Sequence, residues 1–382
     1  MDEMETDFNN DFGQEFELIT KEDYFVDKTK LIEEINGLIN TTNRYLYIKR
    51  PHFFGKSVNA LMLASYYSKD ANMKYLFDTL EIKKCLSYEK HQSKYNVVFI
   101  SFEYTTETYK EYIGYLEDNL KKYLISLCPS VNENLRAKAM LKEVYKKTQT
   151  GFIFILDDMD YILRHNLFTE DDQKDFILYL EGLLGNRYCV KLVFATGILP
   201  MPIPMFREYN IINDNIFQDY FGLSQSEVEN LCKQQREIEL VELEEWYGGY
   251  YNNNGEKVYT TGSVIDALDE GFCSRYYDGI TNEIVECIRR EENILIKEQL
   301  ISIFNLGSLN ITNLNPNEFI LNNMIMYGIL TYNNGILSIP NMDSKCEFVI
   351  LFTKNIFSDI DKSKIDQDLL EEISERVKNL NI

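Results

Sequence analysis

Short apolar runs alternate with segments of helical periodicity over the first half of the chain. The runs contain many β-branched and aromatic residues, which is typical of buried strands. Strands that are apolar throughout must be covered on both faces, so the pattern predicts an α/β fold, a parallel sheet flanked by helices. The predicted strands are residues 45–48, 96–102, 152–156 and 190–195, and the helices between and before them are residues 29–36, 109–124, 132–147 and 176–184.

The second half of the chain has a different pattern. Helices are predicted around residues 284–288, 294–304 and 317–326, and Asn333-Asn-Gly335 between two apolar runs indicates a β-hairpin. Helices followed by a hairpin have the outline of a winged helix, and residues 369–380 form an amphipathic tail. We therefore predict a mainly helical, winged-helix-like C-terminal region. The expected divisions are a polar lead-in without clear period at 1–20, a sheet domain at 21–240, an aromatic and glycine-rich connector at 241–280, and the C-terminal region at 281–382.

Composition narrows the possible partners and compartments. The net charge of −22 disfavours binding of the whole surface to nucleic acid, and no basic recognition helix is evident, so we expect the C-terminal region to contact a protein. No apolar run approaches the roughly 20 residues that cross a bilayer, and the acidic start lacks the features of a secretory signal. Seven cysteines without a Cys-x-x-Cys pair, and three histidines, favour reduced thiols in an intracellular protein without zinc.

Candidate chemistry begins at Gly55-Lys56-Ser57, between a predicted strand and a predicted helix. A glycine there lets backbone N–H groups approach phosphate oxygens, and the start of the helix adds its positive dipole end. Lysine supplies a cation for phosphate and serine a hydroxyl for Mg²⁺. Taken alone, these three residues favour an ordinary capped helix start with an exposed lysine, because Gly-Lys-Ser recurs by chance.

Polar residues also follow two other predicted strands, at Asp157-Asp158 and at Thr196. Carboxyl ends of parallel strands meet at one edge of a sheet, so these residues are expected near Ser57. We assign Asp157 to Mg²⁺, Asp158 to the attacking water, and Thr196 to sensing the terminal phosphate of ATP. The alternatives are that Asp157, Asp158 and Asp160 cap a helix in solvent and that Thr196 satisfies the turn at Gly197. Arg164, Arg187 and Arg207 are candidates for a charge-stabilising arginine, although a surface or salt-bridge role is expected for each.

With these residues in hand, the chain resembles the AAA-ATPase-like family, whose longer members carry a nuclease module. The resemblance rests on Lys49-Arg-Pro-His-Phe-Phe-Gly-Lys-Ser57 and Ile155-Leu-Asp-Asp-Met-Asp160, on Phe194-Ala-Thr-Gly197 and Trp246-Tyr-Gly-Gly-Tyr250, and on shorter matches in the family's order over nearly the whole chain. It implies a P-loop nucleotide-binding fold and an ATPase that uses Mg²⁺ to drive a conformational switch. It also implies that the nucleotide contacts Arg50, Pro51, Phe54, Gly55, Lys56 and Ser57.

Departures from the family pattern leave alternative functions open. His52 and Phe53 stand where the family usually has arginines, and Asp158 stands where it usually has glutamate. These changes favour, as an alternative, a hydrolysis-deficient nucleotide-binding scaffold. A metal-nuclease remnant at Asp343-Ser-Lys345 or Glu81-Ile-Lys83 is the remote alternative, because neither has a partner acid on a preceding strand. The oligomeric state is not predicted.

Overall fold

The computed structural model describes residues 11–165, 167–235, 237–276, 284–285, 288, 294–311, 319–353 and 362–380. By its internal contacts the chain divides into two compact units. The sheet unit contains residues up to Lys49 and residues Lys56–Tyr209, and the C-terminal unit contains Arg50–Gly55 and residues from Asn210 onward. The domain boundaries expected at residues 20, 240 and 280 stay predictions.

The sheet unit is built on five parallel strands in the order β2-β3-β4-β1-β5. The first four confirm the predicted strands, and their side chains are almost entirely buried. The fifth was not predicted, because it is a short edge strand whose first residue is exposed. The strands are β1 (Tyr45–Lys49), β2 (Asn96–Ser101), β3 (Phe152–Asp157), β4 (Val190–Gly197) and β5 (Arg207–Tyr209).

Helices surround this sheet. One of them, Lys56–Tyr67, has ten buried residues and therefore lies inside the unit rather than on its surface. Capping boxes at Thr108 and Thr169 satisfy the first backbone N–H groups of two others. The helices are Phe12–Ile19, Leu31–Asn36, Lys56–Tyr67, Lys74–Phe77, Tyr88–His91, Tyr109–Leu127, Ala137–Thr148, Tyr161–Arg164 and Glu170–Leu184, with a 3₁₀ turn at Glu81–Lys84.

Two predictions about the helices of this unit need correction, one of an irregular segment and one of a helix start. Part of the expected irregular lead-in is the helix Phe12–Ile19, which buries Phe12 and Phe16. A helix of 8 residues with two buried aromatics is too short to give a visible period in the sequence. The helix expected from residue 132 begins at Ala137, where the Glu117 carboxylate accepts its first backbone N–H.

The C-terminal unit combines helices with two small antiparallel sheets, ordered β6-β8-β7 and β10-β11-β9. Its strands are β6 (Leu223–Ser224), β7 (Tyr250–Tyr251), β8 (Lys257–Tyr259), β9 (Ser308–Asn310), β10 (Thr331–Asn333) and β11 (Ile336–Ser338). Its helices are Gln225–Cys232, Leu240–Tyr247, Thr261–Glu270, Ile294–Leu306, Phe319–Met326, Met342–Thr353 and Gln367–Leu380, with 3₁₀ turns at Gln218–Tyr220 and Lys362–Lys364.

The predicted hairpin is confirmed as β10 and β11. Asn334 and Gly335 form its turn at φ values of 49° and 84°, and both lie in the left-handed region that such two-residue turns require. The helix predicted around 284–288 is described only at Ile284, Val285 and Ile288, and residue 317 lies outside the described residues. No helix in the described ranges is both long and apolar enough to cross a membrane.

Candidate functional site

The helix Lys56–Tyr67 places two candidate residues at its first turn. Gly55, just before it, has φ of 76°, a left-handed conformation that glycine adopts without steric cost. Lys56 is the first helical residue and is buried. The first N–H groups of a helix have no partner within the helix, so this turn offers backbone donors beside a lysine and a serine hydroxyl.

The carboxyl end of β3 meets this helix start. Asp157 is the last residue of β3, and the Ser57 hydroxyl donates a hydrogen bond to its carboxylate. Thr196 in β4 donates to Asp157 Oδ1 at 2.5 Å, and its hydroxyl accepts the backbone N–H of Asp158 at 3.1 Å. The structure therefore brings Ser57, Asp157 and Thr196 together, as parallel strand ends should.

Burial governs the charge of Asp157. Desolvation raises the pKa of its carboxyl, and the neighbouring charge of Asp158 raises it further, whereas Ser57, Thr196 and Lys56 act in the opposite direction. A divalent cation at this carboxylate would reverse the balance by supplying positive charge. A hydroxyl and a carboxylate are hard oxygen donors, and Mg²⁺ commonly takes only one or two protein ligands beside phosphate oxygens. The donor set fits Mg²⁺.

Asp158 lies in an ion-pair network rather than in solvent. Arg164, which is 1% exposed, places a terminal guanidinium nitrogen 3.2 Å from Asp158 Oδ1 and its Nε 3.1 Å from Asp160 Oδ2. Asp160 Oδ2 also accepts the backbone N–H groups of Ile198 and Leu199, at 3.1 and 2.7 Å. Because Asp157, Asp158 and Asp160 are all buried, the alternative that they cap a helix in solvent is wrong.

The three candidate arginines differ in position. Arg164 is a buried salt-bridge residue and is not presented to another molecule. Arg187 precedes β4 and Arg207 opens β5, so both are near the amino ends of parallel strands, opposite the edge that carries Asp157. The salt-bridge role expected for Arg164 is confirmed, and the identity of a charge-stabilising arginine stays open.

A further acid, not predicted from the sequence, lies at the same edge. Glu103 follows β2 by two residues, and its carboxyl is hydrogen-bonded to that of Asp158. This contact is the largest cause that raises the pKa of Glu103, to about 8; partial desolvation of the carboxyl and the charge of Asp158 add to it. The rule that selected Asp157 and Thr196, a polar residue just after a buried strand, would also have selected Glu103.

The preceding segment, Arg50–Gly55, packs within the C-terminal unit. Arg50 forms a buried ion pair with Asp214 at 2.5 Å and lies over the Phe221 ring, 5.1 Å from its centroid. Burial lowers the pKa of the Arg50 guanidinium, and Asp214 opposes that shift. The Arg50 side chain is thus held by a carboxylate of its own unit, a partner that the sequence analysis did not identify.

Phe54 and Pro51 are packed in the same unit. The Phe54 ring is buried and packs edge-on against the Tyr250 ring, with the two ring centroids 5.1 Å apart. The backbone carbonyl of Phe54 accepts the N–H of Gly222 at 3.1 Å. A Cβ on Gly328 would lie 2.9 Å from Pro51 Cβ, so glycine leaves room for the proline. The Arg50, Pro51 and Phe54 side chains are thus packed within the C-terminal unit, and their contact with nucleotide stays a prediction.

The two sequence motifs that resemble a metal-nuclease site lie on helices rather than on strands. Asp343 and Lys345 belong to the helix Met342–Thr353, and Glu81 and Lys83 to the 3₁₀ turn Glu81–Lys84. Within the part of the chain that the structure describes, no group of three or more His, Cys, Asp or Glu side chains could hold a metal ion.

The parallel sheet, the helix that begins at Lys56 and the acid at the end of β3 define an α/β fold of the P-loop class. The chain belongs to the AAA-ATPase-like family, described as predicted AAA-ATPase, whose family model matches residues 13–204. Membership puts it among the P-loop ATPases, a class of nucleotide-binding proteins. No curated protein matches the sequence.

Several solved structures resemble the chain distantly. A Walker-type ATPase of Pyrococcus abyssi is 13% identical with a TM-score of 0.41, over 84% of this chain and 94% of that one. The Aeropyrum pernix ORC2 protein, in ADPNP and ADP complexes, is 11% identical with a TM-score of 0.41, over 91% and 94%. AMPPCP-bound DnaA from Aquifex aeolicus is 14% identical with a TM-score of 0.30, over 93% and 89%. Likenesses this distant carry no conclusion about activity.

Proposed function

We propose that this protein binds ATP with Mg²⁺ and hydrolyses it to drive a conformational switch. The observation that carries the proposal is the contact of Ser57 with Asp157, beside Lys56 and with Thr196 on the other side of the carboxylate. A helix start with a lysine and a serine, next to a buried strand-end acid, is the arrangement that P-loop ATPases use for nucleotide phosphates.

Each residue has a distinct part in this proposal. Lys56 provides positive charge to the phosphates, and the backbone N–H groups of its helix turn donate to their oxygens. Ser57 and Asp157 would hold Mg²⁺, which neutralises phosphate charge as the terminal phosphate is transferred. Thr196 fixes the orientation of Asp157, because its hydroxyl is already engaged by Asp157 and by the N–H of Asp158.

Calorimetric titration with ATP and Mg²⁺ tests the phosphate site. We expect the parent to bind and Lys56→Ala to bind at least about tenfold more weakly, a loss of about 1.4 kcal/mol. Lys174→Ala is the matched control, because Lys174 is an exposed lysine whose partner, Asp171, is on the same helix. Equal affinity of the parent and Lys56→Ala would contradict the proposal, as would a folded parent that binds no ATP.

A second candidate function is a nucleotide-binding scaffold without hydrolysis. It is favoured by the ion pair between Asp158 and Arg164, because a buried carboxylate held by an arginine is a poor base for water. In either case we propose a protein partner for the C-terminal region, and the net charge of −22 disfavours nucleic acid. Turnover of ATP that depends on Lys56 would exclude the scaffold; binding without such turnover would support it.

A further inference from the structure

The carboxyl edge of the sheet carries a second pair of acids, Glu103 and Asp158. β2 and β3 are adjacent parallel strands with Ser101 opposite Asp157. The pairing continues past the strand ends, since the N–H of Phe102 donates to the carbonyl of Asp157 at 3.1 Å. The residues that come next after these two strands are Glu103, after Phe102, and Asp158, after Asp157. Their carboxyl groups are hydrogen-bonded to each other.

These two acids differ in their access to water. Asp158 is 4% exposed and pairs with Arg164, whereas the Glu103 side chain is exposed. Asp158 also has φ of 50°, a left-handed conformation that aspartate tolerates better than most residues. The buried member of the pair is therefore fixed by its backbone and by Arg164, and the exposed member can meet a water molecule.

Glu103 lies where a base for the attacking water is needed. It follows the strand next to β3, at the edge of the sheet where Ser57 and Thr196 contact Asp157. Of the acids Asp157, Asp158 and Glu103, it is the one open to solvent, and a general base must be within reach of the water whose proton it takes. Among the described residues, Asp157, Asp158, Arg164 and the Tyr161 hydroxyl are charged or titratable groups that act on Glu103.

We propose that Glu103 is the residue that activates water for ATP hydrolysis, and that Asp158 is a positioning residue that holds Glu103. This inference rests on the proposed function. In the reaction, a water oxygen forms a bond to the terminal phosphorus as the bond from that phosphorus to the bridging oxygen of ADP breaks. Glu103 acts in its ionised form, after the proton of the carboxyl pair has been released to solvent. ADP leaves with the electron pair of the broken bond, and the proton of the water passes to the Glu103 carboxylate.

The arrangement also accounts for aspartate at position 158. A base on the neighbouring strand removes the need for a longer acid directly after Asp157. Position 158 then needs a side chain short enough to reach both Glu103 and Arg164 from a left-handed backbone. Aspartate satisfies both requirements.

The test measures MgATP affinity and single-turnover hydrolysis separately in the parent, Glu103→Gln and Glu103→Ala. We expect the hydrolysis rate of Glu103→Gln to fall about 10²- to 10⁴-fold, while its MgATP affinity stays within a few-fold of the parent. Added formate should restore part of the rate of Glu103→Ala, since it can occupy the space of the missing carboxylate; a purely structural defect would not respond. Glu107→Gln, an exposed acid nearby in the chain, is the control and should match the parent.

Asp158→Asn tests the positioning role. We expect a lower hydrolysis rate with little change in MgATP affinity, and no rescue by formate, because Glu103 still occupies the space. A parent that hydrolyses ATP while Glu103→Gln does so equally well would overturn the inference and leave the proposed function intact. A parent that binds MgATP but does not hydrolyse it would overturn the inference together with the hydrolytic part of the proposal. Loss of MgATP binding in Glu103→Gln would also overturn the inference.

Discussion

The Thr196 hydroxyl lies 2.5 Å from Asp157 Oδ1 and also accepts the backbone N–H of Asp158 at 3.1 Å. One side chain on β4 thus joins Asp157, the last residue of β3, to Asp158, the residue that follows it. Thr196 is fully buried, so its hydroxyl has exchanged water for these two partners. The contact links the stability of the strand ends to the geometry of the candidate Mg²⁺ site.

Removing this hydroxyl should affect both properties. In Thr196→Val the Asp158 N–H and the Asp157 carboxylate lose a buried partner, so we expect a loss of about 1–3 kcal/mol in unfolding free energy. Mg²⁺-dependent ATP affinity should fall as well. Urea unfolding and calorimetry measure the two effects, and Thr196→Ser, which keeps the hydroxyl, should stay close to the parent. A stable Thr196→Val with unchanged MgATP affinity would show that the contact is dispensable.

The buried pair of Arg50 and Asp214 should be costly to break from either side. Arg50→Met leaves the Asp214 charge without its partner, and we expect a loss of about 3–5 kcal/mol in unfolding free energy. Asp214→Asn should also destabilise, although its Oδ1 can still accept the N–H groups of Ile216 and Phe217.

A double-mutant cycle measures the interaction free energy between Arg50 and Asp214. The unfolding free energies of the parent, both single variants and the double variant are determined in urea. Arg50→Met/Asp214→Asn should be more stable than the sum of the single losses predicts, by about 0.5–3 kcal/mol. Lys174→Met, at an exposed pair with Asp171, should change stability little. Additive losses at Arg50 and Asp214 would mean that the ion pair has no energetic role.

Two glycines offer a matched pair for backbone strain. Gly249 and Gly255 have φ values of 82° and 77°, so alanine should cost about 1–2 kcal/mol at either position from conformation alone. A Cβ at Gly249 would also lie 2.0 Å from the Pro340 carbonyl oxygen, whereas at Gly255 it would meet nothing within 4 Å. We expect the unfolding free energy of Gly249→Ala to be lower than that of Gly255→Ala by about 1–3 kcal/mol. Equal losses in urea unfolding would contradict the close approach to Pro340.

His91 should make stability depend on pH below neutrality. Burial, with smaller contributions from Lys90 and Lys94, lowers its pKa from 6.5 to about 4. Nδ1 is 2.7 Å from the Tyr95 hydroxyl, and Nε2 is buried without a hydrogen-bond partner among the described residues. The unfolded chain binds a proton near pH 6.5 and the folded one only near pH 4, so this contribution to stability is lost as pH falls through that interval.

His91→Gln isolates this effect, because the carboxylates that titrate in the same interval are common to both proteins. The parent should lose stability relative to the variant between pH 6.5 and pH 4, and the difference should be constant above pH 7 or so. Unfolding free energies at a series of pH values measure it. A difference that does not change between pH 7 and pH 4 would contradict the low pKa of His91.

Local pattern was sufficient for much of the fold. Apolar runs of strand length predicted β1 to β4, and Asn333-Asn-Gly335 predicted the hairpin, because both signals lie within a few neighbouring residues. The edge strand β5 and the helix Phe12–Ile19 gave no such signal. Each is short, and neither has enough buried positions to establish a period.

Parallel topology made part of the candidate site predictable. Residues just after buried strands must collect at one edge of the sheet, which is why Ser57, Asp157 and Thr196 were expected together and are found in contact. Their roles in nucleotide chemistry stay proposals. Asp158 was expected at this edge, but its partners were not identified: a surface or salt-bridge role was expected for Arg164 without a named acid, and Glu103 was not considered.

The sequence by itself determined four of the five sheet strands, the hairpin, the P-loop residues at the start of the buried helix and the acids at the end of β3. Only the tertiary structure decided how each charge is compensated. Asp214 is 164 positions from Arg50, and Thr196 is 39 from Asp157, so no local pattern connects them. Desolvation makes each buried charge depend on whatever partner the packing supplies, and that partner is fixed by the fold rather than by neighbours in sequence.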